Sequence, residues 1–397
     1  MKGPPVAALL GSMGAAVFAD AVSGTTFPWW LYIATGSPWA LAAFATVRTA
    51  LYAIGAPAGG LLADHYNRRH VMWVSSLTRA CLALAIGLLA WFGSLRAEAL
   101  IVGGALLAVC QSLFTPSVDA LIPQLTRREN LTRVNSGFQA IQATASVGGP
   151  VAGGLLIGTA GLHGAMALVG AVYILSAIAA ARLPAMRAPG AARQRPVLSN
   201  VTERMVEVAR YLRGESLVTL LMGFTVLLNL LVMPVFIVLP VLTRDVLGLT
   251  AVHYGGLQSV LPAGVLVGTL LTATVRAGGR KAPRALGAIV WTGLAYASLA
   301  FARTYLTALA CVAAMGLGMA VASVAGRVIL QELVPADRLG RVFGLMNGLT
   351  AAVQPLGFTL VGALMAGPGP GMTVLLLGAL TAAVACAALS APVARSI

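Results

Sequence analysis

The hydrophobic pattern of this chain is easiest to follow through the places where it stops. Apolar runs of roughly 20 residues or more recur from one end to the other, and each can cross a hydrocarbon core about 30 Å thick. The runs are continuous rather than alternating, which excludes a β-barrel. Helices are the remaining way to satisfy backbone polar groups in lipid. The pattern predicts an all-α membrane protein with twelve spans, at about 6–33, 38–63, 71–93, 99–122, 133–158, 163–183, 217–241, 253–275, 283–302, 304–330, 340–366 and 371–391. The first of these follows only Met1 and Lys2, is too long for a signal-peptide core, and is expected to be a retained helix.

Self-comparison organises the spans. Adding 208 to a position in the first half lands on its counterpart in the second: Leu125, Leu131, Arg133 and Val134 map to Leu333, Leu339, Arg341 and Val342. Gly149 and Gly154 map to Gly357 and Gly362, and Gly60 and Arg68 to Gly268 and Arg276. One ungapped offset across separate loops predicts two related six-helix bundles, 1–183 and 216–397, joined by a linker at 184–215. An even number of spans per half makes the repeats parallel, with a substrate site between them near the midplane. The linker opens with Pro184, Pro189 and Pro196, and then places Val201, Met205, Val208 and Leu212 on one face. That face predicts an amphipathic cytoplasmic helix.

Composition narrows the class. The chain is 59% hydrophobic and 9% charged, against about 25% charged in soluble domains. A soluble enzyme on a single anchor is thereby excluded. The net charge of +15 would suit nucleic acid, but its placement does not. Of the 26 Lys and Arg residues, only Arg96, Arg244 and Arg303 fall in predicted outside loops and only Arg48, Arg79 and Arg327 within spans. The others lie on one side, which puts both termini in the cytoplasm and the basic clusters beside lipid headgroups. Cys81, Cys110, Cys311 and Cys386 are scattered singly, with no spacing for a metal or disulfide. No cofactor is expected, and Lys2 and Lys281 lack a phosphate-loop context.

Four stretches carry a resemblance. The segment Gly60-Leu-Leu-Ala-Asp64-His65-Tyr-Asn67-Arg68-Arg69 resembles the signature loop of the major facilitator superfamily, although His65 and Asn67 depart from it and Thr272 replaces the aspartate in the second copy. The resemblance implies that this loop latches the two halves and that Asp119, low in span 4, joins its charge network. Gly60 is expected to allow close helix approach, and Asp64 to face a helix N-terminus. Gly149-Pro150-Val-Ala-Gly153-Gly154 resembles the span 5 motif of the family's exporters, with Ala145 where the fuller motif has glycine. Small residues there favour close helix crossing. The stretches 125–136 and 341–347 are similar to loops of macrolide-efflux facilitators, and siderophore exporters and lysophospholipid transporters share them.

Candidate chemistry is sparse. Among 11 acids, Asp20 alone lies well inside a span, where insertion costs on the order of 2.5–3.5 kcal/mol and a function is the default expectation. Arg48 in span 2 falls at a similar depth and is expected to pair with it as a proton-sensitive switch, a permanent structural pair being the alternative. Arg79 and Arg327 lie nearer the inside ends and are expected to snorkel, Arg327 being the repeat counterpart of Asp119. Asn135, Gln139, Gln142 and Ser146 share one face of span 5, and the offset carries Gln139 and Ser146 to Asn347 and Gln354. With Gln111, Asn229 and Gln258 they form a candidate substrate cavity. These features point to a monomeric exporter of amphipathic or hydrophobic small molecules in exchange for protons, in the cytoplasmic membrane. A lipid or lysophospholipid translocator without obligatory proton coupling is one alternative, and a non-transporting membrane enzyme or assembly partner is another.

Overall fold

The computed structural model describes residues 4–185, 215–274 and 281–390, and the regular elements among them are helical. They are α1 (Pro4–Thr35), α2 (Pro38–His65), α3 (Arg68–Trp91), α4 (Ala97–Leu125), α5 (Leu131–Ala181), α6 (Ser216–Val232), α7 (Val235–Val241), α8 (Ala251–Thr274), α9 (Lys281–Ser298), α10 (Tyr305–Leu333), α11 (Ala336–Ala366) and α12 (Gly369–Ser390). The amphipathic helix expected near 201–212 lies outside the described residues.

Eleven helical stretches among the described residues are long and apolar enough to cross a membrane. One local feature separates this tally from the twelve expected spans, and a second breaks one of them without changing the tally. The runs expected as spans 5 and 6 are continuous in α5, whose 51 residues would extend roughly 75 Å at 1.5 Å each, far beyond one bilayer core. The helix breaks at Gly161, where φ is 65° and ψ −176°; an L side chain is strained at such an angle, so glycine takes the position. The run expected at 217–241 is instead interrupted after Val232, because Pro234 has no N–H to continue the ladder. After α7 the chain closes on a π-helical turn, Leu242–Val246.

Helix starts follow local capping chemistry. Ser37 accepts from the Ala40 amide ahead of Pro38, and Asn67 accepts from the Arg69 amide at 3.1 Å. The Asn67 cap starts α3 at Arg68, earlier than hydropathy suggests. Thr304 and Thr307 cap α10 reciprocally.

The chain divides into two compact units, Met1–Gln194 with Leu249–Ser259, and Arg195–Gly248 with Val260–Ile397. In the first, α1 and α3 both pack along α5, while α2 packs against α4. In the second, α9 packs against α10 and α12, and α6 against α11. Large apolar side chains such as Leu88, Trp91, Leu175, Leu270 and Leu306 point outward, as expected where the solvent is lipid.

Candidate functional site

The most polar feature of the first unit is assembled around Asp20. Arg79 Nη1 donates to both of its carboxylate oxygens, at 3.3 and 3.2 Å. The Tyr173 hydroxyl donates to Oδ1 at 2.5 Å. The Arg79 guanidinium is stacked against two aromatic rings, 4.7 Å from the centroids of Phe114 and Tyr173. Such contacts are strongest when the cation is dry, and the Arg79 side chain has no accessible surface. Its Nε and Nη2 have no hydrogen-bond partner among the described residues. A seam of serines continues from the cluster: Ser176 donates to the Ser12 carbonyl at 2.8 Å, and its hydroxyl oxygen lies 3.0 Å from that of Ser76.

This geometry corrects the expected pairing. Asp20 is bound by Arg79, not Arg48. The Asn67 cap begins α3 at Arg68, so Arg79 sits at mid-helix, where it is too deep to snorkel and has to find its counter-charge inside the bundle. Arg48 is half-buried beside α1, with Nη1 3.7 Å from where a Cβ on Gly24 would lie, and makes no ion pair among the described residues. Tyr173 and Phe114 are additions to the site. Their signal was a phenolic hydroxyl and a ring in otherwise apolar runs, and a buried hydroxyl requires a partner.

The motif on α5 explains how α1 is held. A Cβ on Gly149 would lie 2.3 Å from the Ala21 methyl group, and one on Gly153 would lie 3.0 Å from the Val22 carbonyl. The residue beside Asp20 is therefore in direct backbone-level contact with the motif. Gly154 faces the start of α8, where a Cβ would meet the Ala251 carbonyl at 2.6 Å. Pro150 is buried in the same seam. Trp29 stacks on Tyr254 within this unit, with centroids 5.4 Å apart.

In the loop between α2 and α3, Arg68 is buried and donates to the carbonyls of Ala63 at 3.0 Å and Ala120 at 3.2 Å. It thereby ties the end of α2, where the Ala63 carbonyl lies in the last turn and lacks a helical donor, to the Ala120 carbonyl of α4. Asp119 is exposed and makes no ion pair among the described residues. The side chain of Asp64 lies outside those described, and Arg69 is half-buried. Gly60 does not mediate close approach, since a Cβ there would meet nothing within 4 Å; Gly59 does, against the Ser112 carbonyl.

The candidate cavity residues separate between the units. Asn229 and Asn347 line one cavity of about 420 Å³ within the second unit, together with Arg327, while Gln354 is not among its lining residues. Gln111, Gln139, Gln142 and Gln258 belong to the first unit. Gln139 is exposed and the other three are half-buried, with Oε1 of Gln258 buried and unpartnered. No group of metal-ligating side chains occurs among the described residues.

The sequence profile of the Major Facilitator Superfamily matches residues 9–357. The chain belongs to that superfamily. Among curated relatives it is 29% identical to the enterobactin exporter EntS of Escherichia coli over 360 residues, covering 88% of this chain and 82% of that protein. It is 24% identical to macrolide efflux protein A of Streptococcus pyogenes, covering 82% of this chain and 80% of that one. Its fold matches a solved bacterial homologue of the human lysosomal transporter Spinster with a TM-score of 0.77 at 12% identity, covering 98% and 96% of the two chains. A solved transporter of the POT family matches with a TM-score of 0.76 at 12% identity, covering 97% and 95%. This superfamily member is thus a multi-pass membrane transporter with efflux relatives.

Proposed function

We propose that this chain exports amphipathic or hydrophobic small molecules from the cytoplasm by alternating access and exchanges them for protons. In this reading it is not an enzyme. It crosses the cytoplasmic membrane twelve times, with α5 counted as two crossings at Gly161 and both termini on the cytoplasmic side. The two efflux relatives support the outward direction.

The carrying observation is the Asp20–Arg79–Tyr173 cluster. Its repeat counterparts, Leu228, Gly287 and Thr381, bear no charge, so coupling chemistry is confined to the first half. Protonation of Asp20 removes the counter-charge from an arginine that has no accessible surface and two unpartnered nitrogens. Stranding one partner of a buried pair costs on the order of 3–5 kcal/mol, enough to move a two-state equilibrium from one state largely to the other. Arg48, beside the next turn of α1, is the alternative partner for Asp20 in the second state. The substrate would approach the polar positions Gln111, Gln139, Gln142, Asn229, Gln258, Asn347 and Gln354, while the Gly60–Arg69 loop and Asp119 act at the inner gate.

Efflux of a dye panel from membrane vesicles, with and without a proton gradient, tests the reading. Wild type should export only with the gradient, and Asp20→Asn should lose that dependence together with most of its activity. A mutant that exports as well as wild type and keeps its response to the gradient overturns proton coupling through Asp20. Unaltered activity in Arg48→Ala removes the partner exchange.

A further inference from the structure

The second unit contains an apolar cavity that reaches the repeat counterpart of Asp20. Leu228, the repeat counterpart of Asp20, lines it, as do Phe224, Met233, Met319, Phe343 and Met346. Its volume of about 420 Å³ is in the range of small-molecule sites, and thioether and aromatic walls adapt to irregular apolar shapes. Among the lining residues, Arg327 carries the only charge. It makes no ion pair or hydrogen bond among the described residues. The nearby acid on the same helix, Glu332, is engaged by Lys281 at the start of α9.

The other polar lining groups divide by whether their donors are used. Thr225, Thr292 and Ser323 donate to carbonyls of their own helices, and Asn229 Nδ2 donates to the Thr225 carbonyl at 2.9 Å. The Asn347 side chain and the Thr350 hydroxyl make no hydrogen bond among the described residues. Arg327 on α10 and Asn347 on α11, both exposed to solvent, therefore bring accessible donors, uncommitted among the described residues, to one largely apolar cavity. An arginine in such surroundings is completed by a planar or tetrahedral oxyanion, which its fork binds in a bidentate manner.

We infer that Arg327 and Asn347 form an anion subsite, and that the substrates of this transporter are amphiphiles with a single acidic group on a compact hydrophobic body. The inference rests on the export reading and names the substrate class for it. One cation matches one negative charge; a cationic amphiphile would set a like charge against Arg327, and a neutral one would gain no charge-assisted contact. The acidic group can belong to a free small molecule or to an anionic membrane lipid, both of which present the same oxyanion.

The test is equilibrium binding to the full chain in phosphatidylcholine nanodiscs. Three probes share one ring system: 1-naphthaleneacetate, 1-naphthaleneacetamide and 1-naphthylmethylammonium. Wild type should bind the carboxylate about tenfold or more tightly than the other two, as expected for a charge-assisted contact. Arg327→Gln should abolish the preference while leaving amide affinity unchanged, which also shows that the cavity is folded. Arg327→Lys should keep part of the preference, since charge survives but the fork does not. Equal affinity for the three probes in wild type, or a full preference in Arg327→Gln, overturns the inference. Asp20→Asn should keep the preference even where it loses coupled efflux, so failure of coupling and failure of the subsite are read separately. Adding phosphatidylglycerol to the nanodiscs distinguishes the sources: Arg327-dependent weakening of carboxylate binding assigns a lipid occupant, and undiminished binding assigns a free molecule.

Discussion

Arg79 and Asp20, carried by α3 and α1, meet at 3.2 Å in a place where the arginine side chain has no accessible surface. Tyr173 holds the same carboxylate from the second leg of α5, so three helices of the first unit converge on one acid. An arrangement of this kind is costly to disturb on one side only, and that asymmetry yields the first prediction.

Asp20→Asn should lower stability by about 3–5 kcal/mol, because it strands a buried guanidinium. Replacing both partners, Asp20→Leu with Arg79→Met, should recover most of that loss while leaving transport dead. Thermal unfolding in detergent, followed by the fluorescence of the native tryptophans, measures both. A double variant no more stable than the single one would sink the account of the pair as a mutual dependence.

Tyr173→Phe removes one hydrogen bond to a charged acceptor and keeps the ring against Arg79. The expected cost is about 1.5–3 kcal/mol. Tyr173→Leu also forfeits the ring contact and should cost roughly a further 0.5–2 kcal/mol. The same unfolding measurement ranks the two, and the reverse order would contradict the stacking geometry.

The α5 motif separates two adjacent glycines. Gly149→Val drives a side chain into Ala21, whereas a Cβ at Gly148 meets nothing within 4 Å. Gly149→Val should sharply reduce the yield of folded protein in the membrane. Gly148→Ala should be neutral or gain up to about 1 kcal/mol from helix propensity. Size-exclusion profiles of the two variants, purified side by side, decide it.

At the inner loop, Arg68 and Asp119 should differ in kind. Arg68→Ala leaves the Ala63 carbonyl without its donor and removes the contact to the Ala120 carbonyl, costing about 1–3 kcal/mol. Asp119→Asn, at an exposed position without an ion pair among the described residues, should change stability by about 0.5 kcal/mol or less. If Asp119→Asn also lowers transport rate, its role belongs to gating and not to holding the bundle together.

Gly161→Ala tests the break in α5. With φ at 65°, an L residue costs on the order of 1–2 kcal/mol, and the variant should unfold at a correspondingly lower temperature. No loss would mean that the connection straightens freely.

Much of this protein is legible in its sequence because a bilayer allows few solutions. Apolar run length gives the helices, the fixed offset of 208 predicts two related halves, and the scarcity of acids singles out Asp20. The choice between Arg48 and Arg79 was not legible. Both lie at plausible depths, and run length gives depth to within a few residues but says nothing of the direction in which a side chain leaves its helix. That direction is set by how α1 and α3 lie against α5, which depends on contacts such as Gly149 against Ala21. The 420 Å³ cavity with Arg327 and Asn347 was equally hidden, because a void is a property of packing among several helices. Sequence alone determined the solvent, the helices and the one acid that had to be explained. Tertiary structure decided its partner and where the protein leaves space, since pairing and packing are fixed by positions far apart in the chain.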